Sequence, residues 1–148
     1  MERLTYRGTV YPWHCDHMGH MNVMWYTGKF DEATWQLFGS LGLTPAWLRA
    51  AGRGMAAVEQ LTEYKRELQA GDLVSVHTQL IEVKSKVLRF RHAMRRDDDG
   101  ELAAVSTLTA VFLDTALRKA SAFPADMEAR FRALLAASPP EAALKAAA

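Results

Sequence analysis

NVMWYTGKFDEATWQLFG, Asn22 to Gly39, runs without proline from an asparagine to a glycine. Asparagine is a good helix N-cap, and a glycine just past the end is a common stop. The spacing therefore predicts a helix over Val23–Phe38, with Gly39 at its C-terminal cap. At about 100° per residue its apolar side chains form two stripes. Tyr26, Phe30, Ala33 and Leu37 make one. Met24, Gly28 and Trp35, with Trp25 at the edge, make the other, and Thr27, Lys29, Asp31, Glu32, Thr34 and Gln36 fill the seams. One stripe suffices for a helix lying on a core, so two predict contact on both sides.

Upstream, RLTYRGTV (Arg3 to Val10) alternates as a short strand does. Downstream, TPAWLRAAG (Thr44 to Gly52) reads as a short helix with Thr44 as cap and Pro45 at its first position. Four strand-like segments follow: MAAVEQLTEYKREL (55–68), DLVSVHTQLIEVK (72–84), KVLRFRHAMRR (86–96) and ELAAVSTLTAVFL (101–113). AGD, KSK and DDDG mark the turns between them. In the third, Leu88, Phe90, His92 and Met94 fall on one face and Arg89, Arg91 and Arg95 on the other. Pro124 to Ala137 suits a terminal helix, and an Ala- and Pro-rich tail (138–148) is set off by Pro139 and Pro140.

The order is strand, long helix, then four strands in a meander. It predicts one α+β domain over residues 1–137: a five-stranded antiparallel sheet with the long helix on one face. A second subunit covering the remaining apolar surface would explain the second helix stripe.

The chain has 148 residues, and its 18 Lys and Arg against 17 Asp and Glu leave a net charge of +1. That balance gives no basic excess for nucleic acid and no acidic tail for a basic partner. The single cysteine, Cys15, allows no intrachain disulfide and suits a reducing compartment. MERLTYRGTVYPW lacks the apolar core of a signal peptide, and no apolar run approaches the ~20 residues that span a bilayer. A soluble cytoplasmic protein is expected.

Chemistry collects in HCDHMGHMN, His14 to Asn22. From spacing alone four readings stay open. His17-x-x-His20 with His14 or Asp16 could ligate zinc, although no second ligand cluster accompanies it. Cys15 beside a histidine could be a nucleophile, or simply a small apolar residue. Asp16 or a histidine could act as acid or base. The loop could also do no more than cap the helix.

VYPWHCDHMGHMNVMWYTGKFDEATWQLF (Val10 to Phe38) resembles the signature of the 4-hydroxybenzoyl-CoA thioesterase family of hot-dog-fold proteins. The matching positions are Asp16, Gly19-His20-Met21-Asn22 and Tyr26. EYKRELQAGD (63–72) and LDTALRKASAFP (113–124) resemble a later strand with its Gly-Asp turn and the family's last strand. The resemblance implies a hot-dog fold and hydrolysis of an acyl-CoA thioester without a metal or resident cofactor. It makes Asp16 the catalytic carboxylate, as nucleophile or general base, and the Val23 backbone N–H the oxyanion donor. Gly19 would let the loop turn tightly; His20 and Asn22 would order it. Glu59 and Tyr64 would reach the site from a partner subunit, with Tyr26 beside them. Lys65, Arg66, Ser85, Lys86, Arg118 and Lys119 stand where relatives hold the phosphates of coenzyme A. Trp13, Met18, Met21, Met24 and Trp25 would make the mouth bulky. A dimer or a dimer of dimers is expected, with no nucleic-acid or membrane partner. Two other functions fit the same fold: an enoyl-thioester hydratase or dehydratase pairing Asp16 with His17 or His20, and a non-catalytic acyl-CoA-binding protein.

Overall fold

The computed structural model describes residues 2–140; the end of the expected tail, 141–148, lies outside them. Strand β1 (Arg3–Thr9) leads through a single turn, Pro12–His14, into helix α1 (Val23–Ser40) and helix α2 (Pro45–Ala51). Strands β2 (Arg53–Tyr64), β3 (Leu73–Val83), β4 (Val87–Arg96), β5 (Leu102–Asp114) and the two-residue β6 (Lys119–Ala120) follow, then helix α3 (Ala125–Ala136). All strand pairs are antiparallel, in the order β1-β3-β4-β5-β2, with β6 on β5.

Only β3, β4 and β5 form a meander, so the expected run of four is corrected. β2 crosses to the far edge and pairs with β5 from Arg53↔Asp114 to Tyr64↔Ala104. It also stops at Tyr64 rather than Leu68. The Lys65 and Arg66 N–H groups both turn onto Ala103 O, and Leu68 tucks fully into the core. The sheet gains the short β6 as a sixth strand.

α1 ends later than expected, because Gly42 and not Gly39 is the stop. Gly42 has φ +88°, its N–H bonds Gly39 O at 3.1 Å, and Leu43 N–H bonds Phe38 O at 2.9 Å. That pair of bonds is a Schellman cap, and Phe38 and Leu43 share a core cluster beside it. α2 starts and stops as expected: Thr44 Oγ1 accepts the Trp47 N–H at 3.1 Å, and Gly52 is left-handed.

The first stripe of α1 is core. Tyr26, Phe30 and Ala33 pack with Val74, Val76, Met94 and Ala104 of the sheet; Leu37 and Phe38 pack with Leu88, Phe90, Phe112 and α3's Phe131. The second stripe is not covered by this chain, since Met24 and Trp35 stay exposed. This is the hot-dog arrangement: an antiparallel sheet curled around one long helix.

A polar chain crosses the core. Thr34 of α1 meets His92 Nε2 at 2.9 Å, and His92 Nδ1 meets Thr78 at 2.6 Å. Thr78 in turn meets Thr5 at 2.6 Å. His92 is fully buried and stacked on Phe30. Burial pushes its pKa down to about 3, so the ring is neutral. Among the described residues no helix is long and apolar enough to cross a membrane.

Candidate active site

The loop before α1 is pinned at three places. Met21 N–H donates to Leu68 O at 2.7 Å, Asn22 N–H donates to His14 O at 2.8 Å, and Cys15 bridges Met21. Between the pins the chain makes a tight turn, with Gly19 N–H on Asp16 O at 3.0 Å and Asp16 N–H on His20 O at 3.1 Å. Gly19 closes that turn at φ +85°, where a side chain would be strained.

The turn holds Asp16 by two donors. Met18 N–H reaches Oδ1 and Asn22 Nδ2 reaches Oδ2, each at 2.8 Å. The Asn22 bond first, then the Met18 bond, hold the carboxyl below its usual pKa, so it is ionised at neutral pH. The same asparagine also caps α1, because its Oδ1 accepts the Met24 N–H at 3.0 Å. One side chain therefore fixes both the carboxylate and the helix start. The Val23 N–H, at the first helical position, has no acceptor among the described residues. It points from the positive end of the helix dipole.

Asp16, Asn22 and Val23 line an open cavity of about 430 Å³ with Met18, Tyr26, Tyr64 and Glu67. Tyr26 is buried, donates to Arg66 O at 3.1 Å and meets the Tyr64 ring edge-on at 5.2 Å. Burial raises its hydroxyl pKa to about 12, so it stays protonated. His20 also lines the cavity, but its Nε2 lies 2.9 Å from Glu67 Oε2. Glu67 and the Met18 N–H were missed in the sequence. Both follow from the closed turn, which no residue pattern announces.

Lys65 and Arg66 line the same cavity, paired with Glu63 and Glu101. The remaining residues are not gathered here. Glu59 is exposed on β2, with Thr109 Oγ1 at 3.5 Å. Ser85 and Lys86 form the β3–β4 turn, and Arg118, at φ 56°, and Lys119 lie beyond β5. That is the opposite end of the sheet, about 25–35 Å from Tyr64 at strand rise per residue. Met21 is largely buried but also lines the Asp16 cavity, Met24 lines a space toward β2, and Trp13 and Trp25 face a groove on the β1 side.

The three histidines of the loop diverge: His14 Nδ1 accepts the Tyr11 N–H at 3.0 Å, His20 turns to Glu67, and His17 is exposed. Cys15 Sγ has only the Tyr11 carbonyl, at 3.9 Å. No histidine ring hydrogen-bonds the Asp16 carboxylate, whose partners are Met18 N–H and Asn22 Nδ2.

A 109-residue stretch of the chain is 32% identical to an L-carnitine dehydrogenase/betainyl-CoA thioesterase of Agrobacterium fabrum, covering 74% of this chain and 22% of that protein. The chain thus spans about a fifth of that relative's length. It is 28% identical to a betainyl-CoA thioesterase of Pseudomonas aeruginosa, over 88% of this chain and 82% of that one. A Staphylococcus aureus protein solved in complex with CoA superposes with a TM-score of 0.86 at 22% identity, covering 94% of this chain and 88% of the other. Residues 10–131, which include the Asp16 turn, α1 and all the long strands except β1, match the model of one protein family: the chain belongs to the thioesterase-like superfamily.

Proposed function

We propose that the protein hydrolyses an acyl-CoA thioester at Asp16. The observation that carries this reading is the ionised Asp16 carboxylate in the same cavity as the unused Val23 N–H. Two of the carboxylate's lone-pair sites are taken, which leaves the others for a reacting group in the cavity. Held below its usual pKa, the carboxylate is fully anionic at neutral pH, and in our reading it acts as the nucleophile on carbon. In that route an Asp16 oxygen bonds the thioester carbonyl carbon while the Val23 N–H takes the growing oxyanion charge. The C–S bond breaks and CoA leaves as thiolate, protonated from solvent. Water then cleaves the mixed anhydride and releases the acid and Asp16. Gly19, His20 and Asn22 hold the turn in this scheme. Tyr26 and Tyr64 form the cavity wall, and Lys65 and Arg66 lie nearest for the phosphates of CoA.

No histidine ring hydrogen-bonds the Asp16 carboxylate, which supports hydrolysis over hydration of an enoyl thioester. The acyl group named in two relatives, betainyl, is the first to try here. The site is metal-free in this reading, and Cys15 is a reduced, cytoplasmic thiol.

We also propose that a second copy pairs along β2. Its outer edge is unpaired over 12 residues, with Val58 and Leu61 62% and 64% exposed. A long unpaired edge with exposed apolar side chains is a template for pairing with another chain. Pairing there covers the exposed stripe of α1 and gives Glu59, Ser85, Lys86 and Arg118 a route to the partner's Asp16 cavity.

The test is a panel of acyl-CoA thioesters, betainyl-CoA included, with a thiol-trapping reagent and with a chelator present. Release of free thiol is expected for at least one. Loss of enoyl absorbance without thiol, binding without turnover, or activity that returns only with zinc would each contradict the reading. A monomer by light scattering at micromolar concentration would contradict the β2 pairing.

A further inference from the structure

Over the β1 edge of the sheet, α1 leaves an open groove of about 410 Å³ that plays no part in the scheme above. Its walls are aromatic. Tyr11 and Trp13 stack at 4.4 Å between centroids, and Trp25 lies against His14 at 4.5 Å. Trp13 leaves 66% of its surface in water, an unusual exposure for the largest side chain.

The groove holds one charge of each sign. Lys29 is only 4% exposed, and its Nζ donates to Tyr6 Oη at 2.9 Å and more weakly to Thr9 O at 3.4 Å. Tyr6 reaches it by folding back over Gly8, where any side chain would collide with the phenol. An ammonium has three N–H groups, and none of the ion pairs among the described residues includes Lys29. Its other neighbour is the Tyr6 ring, 5.2 Å from Nζ to the centroid, so this buried ammonium meets neutral oxygens and a π face but no anion among the described residues. His14 adds a second donor: its Nδ1 accepts the Tyr11 N–H, so the proton of the neutral ring sits on Nε2. Glu32, exposed at the rim, supplies the negative charge. Trp25, Lys29 and Glu32 stand at i, i+4 and i+7, on one face of α1, and neighbours three or four apart are about 5–6 Å from each other.

We propose that this groove binds a small zwitterion with an alkylated ammonium, its carboxylate on Lys29 and its cationic head on Trp13 and Trp25 beside Glu32. Depth sets the orientation. The Lys29 ammonium lies at the floor, and the aromatic faces and the Glu32 carboxylate lie at the mouth. A fully alkylated head has no N–H to satisfy, which suits walls of π faces.

The probe is trimethylglycine, titrated into the full chain by calorimetry and followed by tryptophan fluorescence. 3,3-Dimethylbutyrate has a similar shape without the positive charge, and tetramethylammonium lacks the carboxylate. Trimethylglycine is expected to bind at least tenfold more tightly than either. Lys29→Met and Trp13→Ala are each expected to weaken it tenfold or more; Trp13 is exposed, so its loss leaves the fold intact. Asp16→Asn is expected to bind as the wild type does. No binding at millimolar concentration, or equal binding of the uncharged-head analogue, overturns the proposal. So does binding that survives Lys29→Met but is lost in Asp16→Asn, which would put the ligand in the Asp16 cavity. No thioester enters this experiment, so it stands or falls apart from the hydrolysis reading.

Discussion

The Asp16 turn and the polar chain through the core use similar side chains to opposite ends. At the turn, an amide and a backbone N–H donate to a carboxylate that remains open to water, and they favour its charged form. In the core, threonine hydroxyls surround His92, but burial dominates and removes the charge. Hydrogen bonds alone do not decide ionisation. The solvent that remains decides whether donors sharpen a charge or merely satisfy a neutral ring. The first region therefore keeps a solvent-accessible charge, and the second ties α1 to β1, β3 and β4.

The largest expected effect breaks the core half of this comparison. His92 has a folded pKa of about 3 against an ordinary value of 6.5. The unfolded chain binds the proton first as pH falls, so stability is complete above 6.5 and declines from there down to about 3. The loss should approach 1.4 kcal/mol per pH unit and total roughly 5 kcal/mol if no other group offsets it. Urea unfolding at pH 7.5, 6.0 and 5.0 measures it, and His92→Gln should flatten the dependence while lowering stability at pH 7.5. An unchanged slope in that variant would show that His92 is already solvated or charged.

A smaller effect sharpens the other half. Asn22→Asp keeps an oxygen to cap Met24 N–H but replaces the amide donor to Asp16 with a second negative charge. Turnover should fall about tenfold, on the order of 1.4 kcal/mol, and the acid limb of the rate profile should move up in pH as Asp16 becomes harder to ionise. The melting temperature should hold, since the cap survives. Asn22→Ala should lose both, with about 1 kcal/mol of stability. The smallest effects are expected one residue to either side: Cys15→Ser and His17→Ala should each change turnover by less than about threefold, as neither side chain bonds Asp16 and changes away from such contacts are usually small. A severe loss in Cys15→Ser would return the thiol to the role of nucleophile.

Much of this contrast was legible in the sequence. The period of α1 and its Asn22 cap placed the helix start, and the alternation in β4 put His92 on the buried face with Leu88, Phe90 and Met94. Asp16 stood out because the loop matched a family motif, not because its spacing selected it over three histidines. What the residues could not announce was anything set by distant contacts. β2 reads as the first of a meander because local alternation carries no strand order; its crossover to β5 depends on the whole sheet. Gly39 and Gly42 are equally good stops by composition, and packing of Leu43 with Phe38 selects the second. Lys29 looked like a seam residue between stripes, and only the fold of Tyr6 over Gly8 buries it.

The most direct test of the central claim is the turnover number of Asp16→Asn on the best acyl-CoA, with the fold checked by thermal melt. The change keeps the side chain's size and removes its charge, leaving neither nucleophile nor base. If Asp16 carries the chemistry, kcat falls by at least ~10² with little change in KM, the scale of a lost acid–base or nucleophilic group. A folded Asp16→Asn protein that turns over at near the wild-type rate would contradict that role, and would leave the turn as the cap of α1 and nothing more.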